Sequence, residues 1–273
     1  MLTDRTVAIL GTGTMGRALG NGMVSKGVLS ADQLRGTVRH QSELESVSQL
    51  VDFAVGTDNI AAVTGADVVL LCTKPRTASG LLRELADAGA LDHDPLLISI
   101  CAGVSTVALQ AACVNKARIL RAMPNTPCQI GEGMTVVSRG ERGTDKDVEA
   151  ALLIFRTLGR ALVLDEEHMN TVTGLSGSGP AFVYVMIEAL SEGGVMMGLP
   201  RSVATELAAQ TVKGAARMVL ETGRHPAALK DDVTTPAGCT ISALLLLEDG
   251  RLRSVLARGV QEAARSAGGL GGD

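Results

Sequence analysis

The 273-residue sequence contains very few aromatic side chains: three Phe, one Tyr and no Trp. Proteins that bind single-stranded nucleic acids stack bases on aromatic rings, and membrane proteins carry aromatic belts at the lipid interface. This composition argues against both classes, and against a sugar site lined by rings. The hydrophobic fraction of 46% still predicts a globular fold, whose core must be built from aliphatic side chains.

Clusters of basic residues, paired cysteines and long apolar runs are also missing. The 25 basic and 29 acidic residues are scattered, which argues against nucleic acid as a partner. The five cysteines form no CxxC pair, and with four separated histidines they offer no zinc-type spacing. We therefore expect no metal site and a reduced, cytoplasmic protein. The N-terminus lacks a secretory pattern, and the longest apolar run, residues 243–247, is far below the roughly 20 residues that span a bilayer.

Short apolar segments alternate with helical stretches over the first 165 residues. Seven of these segments predict strands, at residues 6–10, 36–39, 67–72, 95–100, 118–121, 134–138 and 161–164. Strands that are apolar throughout and separated by helices are typical of a parallel sheet covered on both faces. The sequence therefore predicts an α/β domain over residues 1–166 with a Rossmann-type, doubly wound parallel sheet.

The pattern changes after residue 165, and from residue 168 onward only helical periodicity is found. Apolar residues recur at three- to four-residue spacing over residues 203–219, and residues 241–247 are apolar nearly all round. Residues 167–273 are therefore predicted to form an all-helical domain. Because so much apolar surface lacks partners within one chain, we expect this domain to form a homodimer.

A glycine-rich turn, Gly11-Thr-Gly13-Thr-Met-Gly16, joins the first predicted strand to the first helix. In such turns the first glycine allows the tight bend, the second lets a pyrophosphate approach the backbone, and the third allows close packing of helix on strand. The free amides and the dipole at the helix start bind the phosphates. This strand–turn–helix context predicts a dinucleotide site.

The end of the second predicted strand bears on the choice of cofactor. NAD-specific sites place an acidic residue about 20 positions after the glycine turn, whereas this chain has Arg39 there. A guanidinium suits a 2′-phosphate, so NADPH is favoured as the cofactor and NADH remains the alternative. For Arg39 itself, the alternative is a solvated side chain that binds no ligand. Residues 72–75 and 100–103 end two further strands and are expected to line the same cofactor.

Further motifs follow one another along the whole chain. They are GTGTMG at Gly11–Gly16, Asn59, Thr73-Lys-Pro75, Ala102-Gly103, Arg121-Ala-Met-Pro-Asn-Thr-Pro127, Thr173-Gly-Leu-Ser-Gly-Ser-Gly-Pro-Ala181, Gly198-Leu-Pro-Arg201, Gln210-Thr211 and Asp232-Val-Thr-Thr-Pro-Ala-Gly-Cys-Thr240. With these motifs the chain resembles the pyrroline-5-carboxylate reductases from end to end. The resemblance implies NADPH- or NADH-dependent reduction of the cyclic imine 1-pyrroline-5-carboxylate to L-proline, the last step of proline biosynthesis. It also implies an interlocked helical homodimer that assembles further, for example into a decamer.

The resemblance also implies which residues form the site. The expected cofactor contacts are Gly11, Thr12, Gly13, Thr14, Met15, Gly16, Arg39, Asn59, Thr73, Lys74, Pro75, Cys101, Ala102, Gly103 and Asp232. The expected substrate contacts are Glu166, Thr235, Gly238, Cys239 and Thr240. Thr173 is the expected catalytic residue, with its hydroxyl near the imine nitrogen. Because a hydroxyl is a weak acid, the substrate is expected to arrive as the iminium. Structural roles for Thr173 and Glu166 remain alternatives.

The segment Thr235-Pro-Ala-Gly-Cys-Thr240 leads into an apolar helix. Exposed amides at a helix start suit a small carboxylate, although an ordinary N-cap Thr is the alternative. The segment departs from the SPGGTT-like pattern of the family at Thr235, Ala237 and Cys239. Backbone amides survive these changes, whereas a role for a hydroxyl at position 239 does not.

Two other functions remain open at this point. One is reduction of a small carboxylate by a relative of the β-hydroxyacid dehydrogenases, which usually need a catalytic lysine in the helical half. Lys213 and Lys230 are the lysines there, and neither lies in a Gly/Ser-rich turn. The other is a non-catalytic regulatory dimer that binds NADPH.

Overall fold

The computed structural model describes residues 4–270, and its central feature is an eight-stranded sheet. The strands are β1 (Val7–Leu10), β2 (Leu34–Thr37), β3 (Ala54–Gly56), β4 (Val68–Leu71), β5 (Leu96–Ser99), β6 (Arg118–Met123), β7 (Gly133–Arg139) and β8 (Gly159–Val163). Their order across the sheet is β3-β2-β1-β4-β5-β6-β7-β8. The predicted α/β class with a doubly wound sheet is confirmed, and all pairs of neighbouring strands except one are parallel.

Three details of the sheet differ from the prediction. The edge strand β3 was missed because it has only three residues, none of them buried, and therefore no apolar run. β7 pairs antiparallel with β6, since the short segment 124–132 joins them without the crossover that parallel pairing requires. β2 ends at Thr37, so Arg39 lies in the loop after the strand rather than within it.

Helices cover both faces of the sheet. Those before residue 178 are α1 (Thr14–Ser25), α2 (Gln41–Ser48), α3 (Asn59–Val63), α4 (Pro75–Asp87), α5 (Thr106–Ala112), α6 (Asp145–Arg156) and α7 (Met169–Val172). Val7 and Ile9 lie in one buried apolar cluster, whereas Ala8 and Leu10 lie in another. Because successive residues of a strand face opposite sides, β1 is buried on both of its faces.

A second compact unit, Gly179–Val260, is helical and is separate from the unit formed by residues 4–178 and 261–270. Its helices are α8 (Gly179–Met196), α9 (Arg201–Thr222), α10 (Pro226–Asp232), α11 (Cys239–Asp249) and the first part of α12 (Leu252–Ala267). Large apolar side chains are exposed on this unit, including Tyr184, Met197 and Leu246. The predicted domain boundary at residues 166 and 167 remains a prediction. Within residues 4–270, no helix is both long and apolar enough to cross a bilayer.

Candidate functional site

Four strand ends lie side by side at one edge of the sheet. Leu10, the last residue of β1, is in register with Thr37 of β2 and with Leu71 of β4, and Leu71 is in register with Ser99 of β5. The segments that follow these strands carry most of the predicted cofactor residues. The parallel register therefore brings together residues that are far apart in the sequence.

The glycine turn has the shape expected for a dinucleotide. Gly11 has φ of +92°, and a Cβ there would lie 2.9 Å from the carbonyl oxygen of Cys72. A Cβ at Gly16 would collide with the carbonyl oxygen of Gly11. At Gly13, by contrast, a Cβ would meet no protein atom within 4 Å. Gly11 and Gly16 therefore allow the turn, strand and helix to approach closely, whereas Gly13 faces open space.

The first turn of α1 follows this glycine turn. Gly13 is the N-cap, and no side chain caps the helix. Thr12 is buried and is held by β2, because its amide and hydroxyl donate to the carbonyl oxygen of Thr37 at 2.7 Å and 3.0 Å. Thr14 is exposed, and Met15 packs against the core. An uncapped helix start with an exposed first turn is suited to binding an anion.

Arg39 and Asn59 lie near the end of β2. Arg39 is exposed and forms no ion pair or hydrogen bond with any residue in the described range 4–270. Asn59 begins α3, and its Oδ1 accepts a 2.7 Å hydrogen bond from the hydroxyl of Thr37. A guanidinium without a protein partner remains available to a phosphate.

The segments after β4 and β5 are linked by a thiol. Thr73 has a buried hydroxyl without a partner among the described residues, and its carbonyl oxygen accepts from the Cys101 thiol at 3.3 Å. Burial raises the pKa of the Cys101 thiol, so this cysteine remains protonated. Lys74 is exposed and is the N-cap of α4, which begins at Pro75.

Ala102 and Gly103 complete the segment after β5. Ala102 is half-buried, and Gly103 has φ of +76°, a conformation that favours glycine. The carboxyl edge of the sheet thus gathers every predicted cofactor residue except Asp232.

Glu166 is engaged by two residues of its own unit. Its carboxylate accepts from the amide of Thr106 at 2.6 Å and from the Thr106 hydroxyl. One oxygen also lies 3.5 Å from Nη1 of Arg121, whose side chain is 5% exposed. The predicted contact of Glu166 with substrate remains a prediction. The sequence predicted no role for Thr106 or Arg121, although an arginine between apolar residues of β6 was a signal for the latter.

Thr173 begins a single π-helical turn, Thr173–Gly177, that follows α7. Its side chain is buried, and its hydroxyl donates to the carbonyl oxygen of Met169 at 2.8 Å. The amide of Ser178 donates to the carbonyl oxygen of Thr173 at 2.8 Å, which closes the wide turn. Isolated π turns within helices are frequent at functional sites.

The turn at residues 235–240 belongs to the second unit. Ala237 has φ of +57°, and a Cβ at Gly238 would collide with the hydroxyl of Thr235. α11 begins at Cys239 directly after this turn, and no side chain caps it. Cys239 is exposed and Thr240 is half-buried. The geometry therefore leaves the amides of the first helical turn without a side-chain partner.

Asp232 ends α10 in the same unit. Its carboxylate lies 2.6 Å from Nη1 of Arg224, and both side chains are about half exposed. The hydrogen bond from Arg224 lowers the pKa of Asp232, which is therefore ionised at neutral pH. Its predicted contact with the cofactor remains a prediction.

Comparisons with known proteins identify the family. The model for pyrroline-5-carboxylate reductase dimerisation matches residues 166–270, and that for NADP oxidoreductase, coenzyme F420-dependent, matches residues 6–103. A pyrroline-5-carboxylate reductase of Schizosaccharomyces pombe is 41% identical over 96% of this chain and 98% of its own length. This chain belongs to the pyrroline-5-carboxylate reductase family.

Solved structures of family members agree with this assignment. The pyrroline-5-carboxylate reductase of Coxiella burnetii is 32% identical with a TM-score of 0.90, covering 98% of this chain and 99% of that one. The Plasmodium falciparum pyrroline carboxylate reductase, solved with NADP bound, is 27% identical with a TM-score of 0.87, covering 98% of both chains. The predicted family and cofactor class are therefore confirmed, and the chain is an NAD(P)-dependent oxidoreductase of the pyrroline-5-carboxylate reductase family.

Proposed function

We propose that this chain reduces 1-pyrroline-5-carboxylate to L-proline with NADPH as the electron donor. The observation that carries the proposal is the end-to-end similarity to pyrroline-5-carboxylate reductases, at 41% identity over 96% of the chain. The row of strand ends in the first unit supports it, because ligands of doubly wound sheets bind at the carboxyl ends of the strands.

Three observations support NADPH as the cofactor. Gly13 faces open space, the start of α1 has no capping side chain, and Arg39 has no partner within residues 4–270. In the proposed site, the amides after Gly13 bind the pyrophosphate and Arg39 binds the 2′-phosphate. Bound NADPH supplies the hydride that adds to the imine carbon. The segments 72–75 and 100–103 line the cofactor at the neighbouring strand ends.

The hydroxyl of Thr173 is proposed to accept a hydrogen bond from the substrate. Because its proton is directed at the carbonyl oxygen of Met169, the oxygen lone pairs remain to face a ligand. A protonated imine nitrogen is a donor and matches these lone pairs. Thr173 thereby favours the iminium form, whose carbon is the better hydride acceptor, and it does not itself supply the proton.

The amides after Gly238 are proposed to bind the substrate carboxylate, together with Thr235 and the hydroxyl of Thr240. The support is the uncapped start of α11 after a sharp turn, in which the Gly238 amide donates to the carbonyl oxygen of Thr235 at 3.0 Å. Thr240→Val should raise KM for the imine about tenfold, with KM for NADPH unchanged. An equal rise in both constants would contradict this assignment.

The proposal is tested by following NADPH oxidation with 1-pyrroline-5-carboxylate beside a panel of 2-oxo and 3-oxo acids. We expect turnover with the cyclic imine and at least about 100-fold lower kcat/KM with the oxo acids, because the hydroxyl of Thr173, proposed to lie beside the reacting group, is too weak an acid to protonate a neutral carbonyl. Turnover of an oxo acid alone would favour a β-hydroxyacid dehydrogenase. NADPH binding without any turnover would favour a regulatory dimer.

A homodimer formed through the second unit, with a decamer as a further assembly, is also part of the proposal. Exposed Met196, Met197 and Leu246 on that unit are 81%, 80% and 73% accessible in the single chain, and the matched dimerisation model includes them. Light scattering after gel filtration should give an even number of chains, and a monomer at micromolar concentration would contradict the proposal.

The five free thiols support the proposed cytoplasmic location.

A further inference from the structure

The side-chain amide of Asn125 joins three separate segments of the first unit. Its Nδ2 donates to the carbonyl oxygen of Ser176 at 3.1 Å and lies 3.5 Å from the Ser176 hydroxyl. Its Oδ1 accepts from the amide of Met134, at the start of β7, at 2.9 Å. Asn125 itself follows β6, so one side chain fixes the β6–β7 connection to the π turn at residues 173–177.

The carbonyl oxygen of Ser176 has no backbone N–H four residues later to accept from. In an α-helix it would accept from the amide four residues later, but that residue is Pro180, which has no N–H. Asn125 supplies the missing hydrogen bond from outside the helix. The π turn is therefore fixed by a side chain that is 51 residues away in the sequence.

A second contact shows how closely the turn fits the same connection. A Cβ added at Gly177 would lie 2.7 Å from Cε of Met123, the last residue of β6. The π turn thus lies beside the end of β6, two residues before Asn125.

From these contacts we infer that Asn125 is a positioning residue for Thr173. The inference rests on the proposed role of Thr173, which begins the turn whose Ser176 carbonyl Asn125 holds. Within residues 4–270, Asn125 forms no hydrogen bond with the hydroxyl of Thr173 or with any predicted ligand contact. It acts by fixing the turn so that the lone pairs of Thr173 keep their direction.

The test is Asn125→Asp, which keeps an acceptor for the amide of Met134 and replaces the donor by an oxygen that repels the carbonyl of Ser176. We expect kcat for imine reduction to fall about 10- to 100-fold while KM for NADPH changes less than about twofold, because a misplacement below 1 Å is costly only at the reacting atoms. Thermal melting and NADPH binding check that the variant is folded. Should it fail to fold, Asn125→Ala removes the donor without adding a charge, together with the acceptor for Met134, and carries the comparison of kcat.

Gln110→Glu is the matched control. Gln110 is also a half-buried side-chain amide, and its Nε2 donates to a backbone carbonyl oxygen, that of Ala117, at 3.0 Å. The same loss of a donor there should leave kcat within about twofold of the wild type. An equal loss of kcat in both variants would indicate a general structural effect and overturn the inference.

A double-mutant cycle with Thr173→Val separates positioning from stability. If Asn125 acts through Thr173, Asn125→Asp should lower kcat less than about threefold in the Thr173→Val background. Fully additive losses would overturn the inference. Imine turnover by the wild type with unchanged kcat in Asn125→Asp would also overturn it while leaving the proposed function intact. Absence of imine turnover in the wild type would instead contradict the proposed function.

A pH profile gives an independent readout. The new carboxyl in Asn125→Asp can donate to the Ser176 carbonyl only when it is protonated. The ratio of variant to wild-type kcat should therefore rise as the pH falls from about 8 to about 5. A ratio that is constant over this range would contradict the assigned role of the donor.

Discussion

Replacing Glu166 by Gln is expected to destabilise the fold more than replacing its ion-pair partner Arg121 by Met. The side chain of Arg121 is 5% exposed, whereas that of Glu166 is 27% exposed. Nη2 of Arg121 has no hydrogen-bond partner within residues 4–270, so Glu166 is the carboxylate that balances this buried charge. Burial lowers the pKa of Arg121, but an arginine still keeps its charge.

The expected loss in the free energy of unfolding depends on which member of the Arg121–Glu166 pair is left without its partner. Breaking a buried pair costs about 3–5 kcal/mol when an uncompensated charge is left inside. Because Glu166 is partly exposed, we expect about 2–3 kcal/mol for Glu166→Gln. Arg121→Met leaves the carboxylate with its two donors from Thr106 and with access to water, so about 1 kcal/mol is expected. The double variant should regain part of the loss.

Urea denaturation at one protein concentration measures these differences, with equal m-values as the sign that the unfolded states are comparable. Asp145→Asn is the control, because Asp145 pairs with Arg139 at 2.7 Å on the surface, where both side chains are at least half exposed. Its effect should stay below about 0.5 kcal/mol. Equal stability of Glu166→Gln and the wild type, or a larger loss in Arg121→Met, would refute the reasoning.

Three further predictions concern other parts of the chain. Ala237→Gly should raise the melting temperature by about 2–4 °C, because it removes about 1 kcal/mol of strain at a left-handed residue; no change would contradict that strain. Burial opposes ionisation of Asp147, but hydrogen bonds from Thr144 and Arg118 outweigh it and lower its pKa. The ionised Asp147 therefore stabilises the fold above the unfolded pKa of about 3.9, and this stabilisation is lost as the pH falls through the folded pKa. In Asp147→Asn the denaturation midpoint should accordingly fall less steeply with decreasing pH than in the wild type. Arg39→Asp should shift the ratio of kcat/KM for NADPH over NADH at least about tenfold toward NADH, and an unchanged ratio would remove Arg39 from the site.

The sequence predicted those features that depend on local pattern. The apolar strands and the glycine turn after Leu10 follow from side-chain period and backbone freedom. The turn lies where the pattern indicated, and each predicted strand overlaps an observed one. β3 was missed because three half-exposed residues at a sheet edge carry no such pattern. The direction of β7 depends on the absence of a crossover helix, which a list of strands does not reveal.

Contacts between distant residues were the part that the sequence did not predict. The carboxylate of Glu166 meets Thr106 across 60 residues, and Asn125 meets Ser176 across 51. Neither pair has a spacing signature, since tertiary packing alone decides which polar groups must satisfy one another. The π turn at Thr173 was equally unpredictable from the sequence.

The most direct test of the proposed function is the identity and amount of product. Purified protein is incubated with NADPH and 1-pyrroline-5-carboxylate, and the proline formed is separated by chiral chromatography and compared with the NADPH consumed. We expect one L-proline for each NADPH oxidised, and the same protein with Thr173→Val should form far less. NADPH oxidation without L-proline, or no oxidation at all, would contradict the proposed function.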